Sequence, residues 1–154
     1  THTRVRSETF LSTLESELGK ENIEVVFNQD FGETRESAAN IVNNNIMKPI
    51  DVIWEAVDNG AMGAVSALET NNIKGTIVVS SGCSGTEPLN MINDPDAYYK
   101  CGIGAPYSAR DIVKLVMQSL QDYFSGKEVE KQQYVEFFPI DSTNIADYKE
   151  LLDK

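Results

Sequence analysis

Histidine and cysteine, side chains often used for acid-base, redox and metal chemistry, are scarce in this chain. Its single histidine, His2, stands at the start, and its two cysteines, Cys83 and Cys101, are too few for a disulfide framework and lack zinc-site spacing. Both cysteines fall near predicted strand ends, so a bond between them stays open beside the plainer reading of two small semi-buried side chains. One stretch invites a chemical reading, Ser80-Ser-Gly-Cys-Ser-Gly85. A strand, a Gly-rich turn and a helix N-terminus can hold a phosphate, or lower a thiol pKa and make Cys83 the nucleophile of a thiol-dependent enzyme. No Lys-Ser/Thr pair follows as a P-loop needs, and the Gly-x-Ser-x-Gly spacing is absent. The chain is therefore expected to bind rather than catalyse, with no catalytic residue, metal ligand or cofactor assigned.

Recognition of a sugar or polyol needs other groups: an Arg or Asn fork for paired hydroxyls, carboxylate acceptors, and an aromatic ring for the apolar face of the ligand. Arg4, Asp30, Phe31, Trp54, Glu55 and Asp58 supply those types, and Arg4, Asp30, Phe31, Trp54 and Asp58 are taken as the ligand-binding candidates. Each has a structural alternative. Arg4 could be solvated in a first helical turn, Phe31 could plug a sheet edge, and Trp54 could belong to the core. Asp58 could cap a helix, facing the crevice or not.

The elements that would position these groups alternate strand, turn and helix. Phe10, Leu11, Leu14 and Leu18 lie at helical spacing within 7–18, with Gly19 as a stop. Ile23 to Phe27 reads as a strand, and a helix follows from about Thr34 to Met47, closed by Pro49. Asp51 to Trp54 is the next strand, leading into an Ala-rich helix capped by Asp58. Gly75 to Val79 is the most apolar strand, and a short helix starts near Pro88. Tyr99 to Gly104 and Val135 to Pro139 read as further strands, separated by a long helix from Ser108 to Phe124 that Gly126 ends. A short helix with Tyr148, Leu151 and Leu152 finishes the chain. This alternation predicts an α/β fold with a doubly wound, mostly parallel sheet, whose ligands sit outside the carboxyl ends of the strands.

Composition narrows the partners. With 154 residues, 41% hydrophobic and 24% charged, the chain is long enough for one domain with a core. A formal net charge of -11 argues against nucleic acid or an anionic membrane as partner of this segment, since both require concentrated Lys and Arg. No apolar run approaches a membrane span. The pattern opens with a helix where a doubly wound sheet usually opens with its central strand, which suggests a portion of a longer protein, cut just after a strand.

Taken in order, Arg4-Val-Arg-Ser-Glu-Thr-Phe10, Asp30-Phe31, Asp58-Asn-Gly-Ala-Met-Gly-Ala-Val-Ser-Ala-Leu68, Ala105-Pro-Tyr107 and Gly126-Lys127 resemble the carboxyl-terminal part of the ribose-binding-protein-like periplasmic sugar-binding proteins, whose pattern LacI-type ligand-binding domains share. The resemblance covers nearly the whole chain. It implies the second lobe of a type I periplasmic-binding-protein fold lacking its first strand, spanning residues 1–106, with the crossover helix and strand of 107–154 packing on the absent first lobe. It further implies a sugar or polyol ligand, an ABC transporter permease as partner, and a periplasmic or extracellular membrane-attached location. The alternative is the effector-binding domain of a LacI-type transcriptional regulator, which would be cytoplasmic.

By the same resemblance, Arg4 takes the place of an Arg that bonds sugar hydroxyls and Phe31 that of a ring-contacting aromatic. The chain departs from the pattern in three places. Val57-Asp58 replaces Asn-Asp, the loop from Ser80 to Ser84 has no ligand Asp, and Gly104-Ala105 replaces a polar residue. Without a first lobe, Ile112, Leu115, Val116 and Leu120 would form an exposed apolar face, to be covered by that lobe or by a second copy of the chain.

Overall fold

The computed structural model describes residues 2–105 and 107–152, apart from the side chains of His2, Ala109 and Leu151. Pro106 of the Ala-Pro-Tyr motif, and the side chains of His2 and Leu151, thus lie outside the described residues. Helix α1 runs His2–Leu18, α2 Arg35–Asn45, α3 Asp58–Thr70, α4 Thr86–Ile92, α5 Ala109–Phe124 and α6 Ile145–Leu152. The strands are β1 Val52–Glu55, β2 Ile77–Ser80, β3 Tyr99–Gly104 and β4 Phe138–Ile140. They form one sheet in the order β1-β2-β3-β4, with β1, β2 and β3 parallel and β4 antiparallel to β3.

Strand alternation sets the layers. Ile53 of β1 and Val78 of β2 are paired and buried on one face. Against them lies α3, and α2 packs on α3, where small residues allow close approach. A Cβ on Gly63 would stand 2.8 Å from the Cβ of Ala38 and 3.1 Å from the Arg35 carbonyl carbon. Trp54 points to the other face, where its ring stacks on Phe10 of α1 at 5.1 Å between centroids and 15° between planes. Val52, Ile77 and Ile103 remain exposed.

Helix stops follow the glycines. Gly19 takes φ 84 just after α1, and Gly126 takes φ 76 after α5. There the N–H of Gly126 donates to the Tyr123 carbonyl and that of Lys127 to the Asp122 carbonyl, the Schellman arrangement that satisfies the last carbonyls of the helix.

Two expected strands differ. Residues 23–27 form no strand: a β-branched run becomes a strand only if a neighbour bonds to it. The strand expected at Val135 to Pro139 begins at Phe138 and pairs with β3, so it joins this sheet. Ile140, Ile145 and Tyr148 accordingly enter the same core as Val42, Val65 and Leu68. Residues 138–152 thus pack on the body that precedes them.

Helix α5 behaves differently. Its capping box is complete, with Ser108 accepting from the Asp111 N–H and Asp111 accepting from the Ser108 N–H, yet none of its described side chains is buried. Ile112, Leu115, Val116 and Leu120 are 42–54% exposed, as the sequence led us to expect. Between α5 and the segment after it lies an open groove of about 380 Å³, lined by Val116, Leu120, Tyr123 and Val129 among others.

Candidate ligand-binding rim

The carboxyl ends of β1, β2 and β3 open on one rim. The loop from Ser80 to Gly85, which follows β2, is its most firmly held part. The hydroxyls of Ser80 and Tyr99 meet at 2.6 Å, and both bond the carbonyl of Gly82. Tyr148 donates to the Cys83 carbonyl at 3.5 Å.

Asp58 completes this network in an unexpected way. It is the first residue of α3, and the N-cap is Val57, which makes no side-chain cap bond. The capping role expected of Asp58 is thus corrected. Its Oδ2 accepts from the Ser84 N–H at 2.9 Å, the Ser84 hydroxyl at 3.0 Å and the Gly85 N–H at 3.3 Å. A carboxylate satisfies more donors there than it would at its own helix start, and it ties α3 to the start of α4.

That arrangement overturns both chemical readings of the Ser80 to Gly85 loop. The N–H groups that would cradle a phosphate are already bonded to a carboxylate, which would repel a second anion. Cys83 is buried, and burial pushes its thiol up to about 12. A thiol so held gives no thiolate near neutral pH, so the nucleophile reading of Cys83 fails. Both cysteines are free thiols. Among the described residues no His, Cys, Asp and Glu side chains gather into a group that could hold a metal ion.

The other candidates separate. Arg4 is exposed and its Nε pairs with Glu8, one turn on, at 3.3 Å. Arg6 instead donates from Nη1 to the Ala56 carbonyl at 3.0 Å, which places its guanidinium at the end of β1. The sequence held the signal for this choice: Arg6 and Phe10 are four residues apart on one helix face, and Phe10 lies on Trp54. Trp54 has one ring face covered by that stack and acts here as a packing residue. Asp30 is exposed, with Oδ1 accepting from the Gly32 N–H at 3.0 Å. Phe31 is buried at 8% exposure and its ring tip lies beside Gly60 of α3.

Glu55 was passed over as a candidate and is the rim's most perturbed acid. It ends β1 with its carboxyl against Gly60, and burial raises its pKa to about 7. Arg6, Glu55, Phe31 and Asp58 are thus the rim groups whose positions the fold fixes, whereas Arg4 and Asp30 stand in solvent. An arginine fork, two carboxyls, serine hydroxyls and an aromatic ring suit hydrogen bonding to a small hydroxylated molecule.

No family model matches the sequence, and no curated protein matches it. Solved structures share the fold. An ABC transporter periplasmic solute-binding protein from Actinobacillus succinogenes, with bound D-allose, is 22% identical with a TM-score of 0.73, over 88% of this chain and 47% of that one. A solute-binding protein from Bacillus halodurans with bound myo-inositol is 19% identical with a TM-score of 0.79, over 95% of this chain and 49% of that one. A third from Agrobacterium vitis, with bound allitol, is 17% identical with a TM-score of 0.73, over 97% and 52%. The chain spans about half the length of these structures. Its four-stranded, mostly parallel sheet flanked by helices matches part of the periplasmic-binding-protein fold.

Proposed function

We propose that this chain forms one side of a non-enzymatic receptor for a sugar or polyol, within an extracytoplasmic, membrane-attached solute-binding protein that delivers its ligand to an ABC transporter permease. The observation that carries this reading is the fold shared, over 88% of the chain or more, with receptors holding D-allose, myo-inositol and allitol. The rim agrees with it, since it offers hydrogen-bonding side chains and a ring.

In this reading Arg6 takes the role first given to Arg4, as a fork for ligand hydroxyls. Phe31 supplies an apolar face, and Asp58 holds the Ser80 to Gly85 loop in register for the ligand. Asp30 and Trp54 support the rim from outside. The exposed face of α5 is the surface on which the other half of the receptor packs. Leu115 and Leu120 are a little under half exposed, so covering each contributes about half of the 1.5–3 kcal/mol of a full burial, and several such side chains together would help hold the two halves. Closure of the halves on the ligand then gives the permease a state to recognise, through their differential affinity for that ligand.

The test is a thermal-shift screen of the full-length protein against pentoses, hexoses, inositols and linear polyols. A binder at a hundred times its Kd adds about 2.7 kcal/mol to stability and raises the melting temperature by several degrees. If no neutral sugar or polyol shifts it, the receptor reading is wrong. If a binder is found but the protein is cytoplasmic and carries a DNA-binding segment, the LacI-type regulator is the better description.

A further inference from the structure

Glu55 ends β1 at the rim, and its side chain shares a strand face with the core residue Ile53. Its backbone is fixed there, since its carbonyl accepts from the Ser81 N–H at 2.9 Å. A Cβ on Gly60 would stand 2.9 Å from Glu55 Cδ and 3.1 Å from Phe31 Cζ. The first turn of α3 and the Phe31 ring therefore wall the carboxyl. It is not sealed, however. No hydrogen bond to the Glu55 carboxyl occurs among the described residues, while every fully buried side-chain oxygen among them has a partner. Solvent thus reaches the Glu55 oxygens, and so can a ligand on the rim.

No counter-charge faces this carboxyl. Arg6 of α1 bonds the Ala56 carbonyl, Asp58 of α3 bonds Ser84 and Gly85, and Arg35 of α2 pairs with Glu87 at 2.6 Å. Asp30 accepts from Gly32, Glu33 is exposed, and β2 runs out into uncharged Ser80 and Ser81. Helix α1 lies on the Trp54 face of the sheet, so Arg6 and Glu55 approach the end of β1 from opposite faces. The two can address different parts of one ligand.

The chemistry of that ligand follows from what the carboxyl lacks. Its two oxygens are acceptors without a donor, and the neighbouring N–H groups of Ser84 and Gly85 are spent on Asp58. A hydroxyl brings one donor and no charge. An ammonium brings three donors and the missing positive charge, and its bonds to a carboxylate are the stronger kind. The net charge of -11 favours the approach of a small cation as well.

We propose that Glu55 is the specificity-determining residue of the rim and selects an amino sugar or aminated polyol, whose hydroxyls meet Arg6 and whose ammonium meets the Glu55 carboxyl. This rests on the receptor reading and narrows it, since D-allose, myo-inositol and allitol, bound in structures that share the fold, carry no amino group. A proton count goes with it. Burial holds the Glu55 proton of the empty rim to about 7, and a bound ammonium favours the carboxylate and lowers that value. Binding at pH 6 therefore releases up to about one proton from Glu55, whereas a neutral sugar releases none from it.

The test is isothermal titration of the full-length protein at pH 6, in two buffers of different ionisation heat. The probes are D-glucosamine, D-galactosamine and D-mannosamine, each beside its parent hexose. At least one amino sugar should bind about tenfold or more tighter than its parent, with proton release, and Glu55→Gln should bring that pair to nearly equal affinity without release. Amino sugars that bind no tighter than their parents overturn the proposal and leave the receptor reading standing. If none of the three amino sugars binds, the proposal fails, and the receptor reading fails only if neutral sugars and polyols fail too. A preference and proton release that persist in Glu55→Gln belong to another group and overturn the proposal as well. The wild-type comparison decides even if Glu55→Gln fails to fold.

Discussion

Helices α3 and α5 are both amphipathic, yet they end in opposite circumstances. Eight of the 13 residues of α3 are buried, among them Gly60, Ala61, Gly63 and Ala64, whose small side chains let it lie against α2 and the sheet. Helix α5 carries larger apolar residues, and they face solvent. Bulk hydrophobicity thus says that a helix has a buried face, while side-chain size says how closely its partner comes. Small residues belong to a partner within this body, and the larger ones of α5 are available to a partner outside it.

This contrast can be broken at graded points. The strongest is Gly63→Val, which would drive a branched side chain into Ala38 and the Arg35 carbonyl. It should cost more than about 3 kcal/mol or prevent folding, measured by urea unfolding. Asp58→Ala leaves the Ser84 and Gly85 donors unpaired and should cost about 1–3 kcal/mol, with faster amide exchange in the 80–85 loop as its local signature.

Glu55 is an acid of the packed region whose pKa burial raises, and its effect depends on pH. Because its pKa is raised in the folded chain, ionisation opposes folding as pH climbs from 4.5 toward about 7. Glu55→Gln should stabilise the protein on the order of 1–2 kcal/mol at pH 8, with the gain gone below pH 4.5. Comparing melting temperatures of the two proteins across that range checks it.

The smallest effect is expected in the other region. Leu115→Ser with Leu120→Ser on exposed α5 should change the stability of this chain by no more than about 0.5 kcal/mol. In the full-length protein the same pair should loosen the two halves, seen as a second unfolding transition. A large loss in this chain alone would show that α5 already packs on it.

Much of this fold was legible in the sequence, because parallel strands and their helices announce themselves locally. Tyr99 to Gly104 has the limits expected of it, and Gly19 and Gly126 end their helices as expected. What failed was whatever depended on distant partners. Residues 23–27 have strand composition but pair with no strand among the described residues, and β4 begins at Phe138, where it meets β3 more than 30 residues earlier in the chain. At the rim, local rules made Asp58 a cap, whereas its carboxylate is claimed by donors 26 and 27 residues away. Arg6 was within reach of helical geometry, once Phe10 was seen as the residue facing Trp54. Glu55 was not, because nothing in the sequence shows that Gly60 and Phe31 will close over it.

The rim is first of all a binding surface. Isothermal titration of full-length protein with D-allose, myo-inositol and allitol, in the wild type, Arg6→Ala and Arg4→Ala, measures this. We predict that at least one of these ligands binds, that Arg6→Ala weakens it roughly tenfold or more, as expected for a lost charge-assisted hydrogen bond, and that Arg4→Ala leaves it unchanged. Binding that survives Arg6→Ala intact, or that is lost only in Arg4→Ala, would contradict the rim as drawn here.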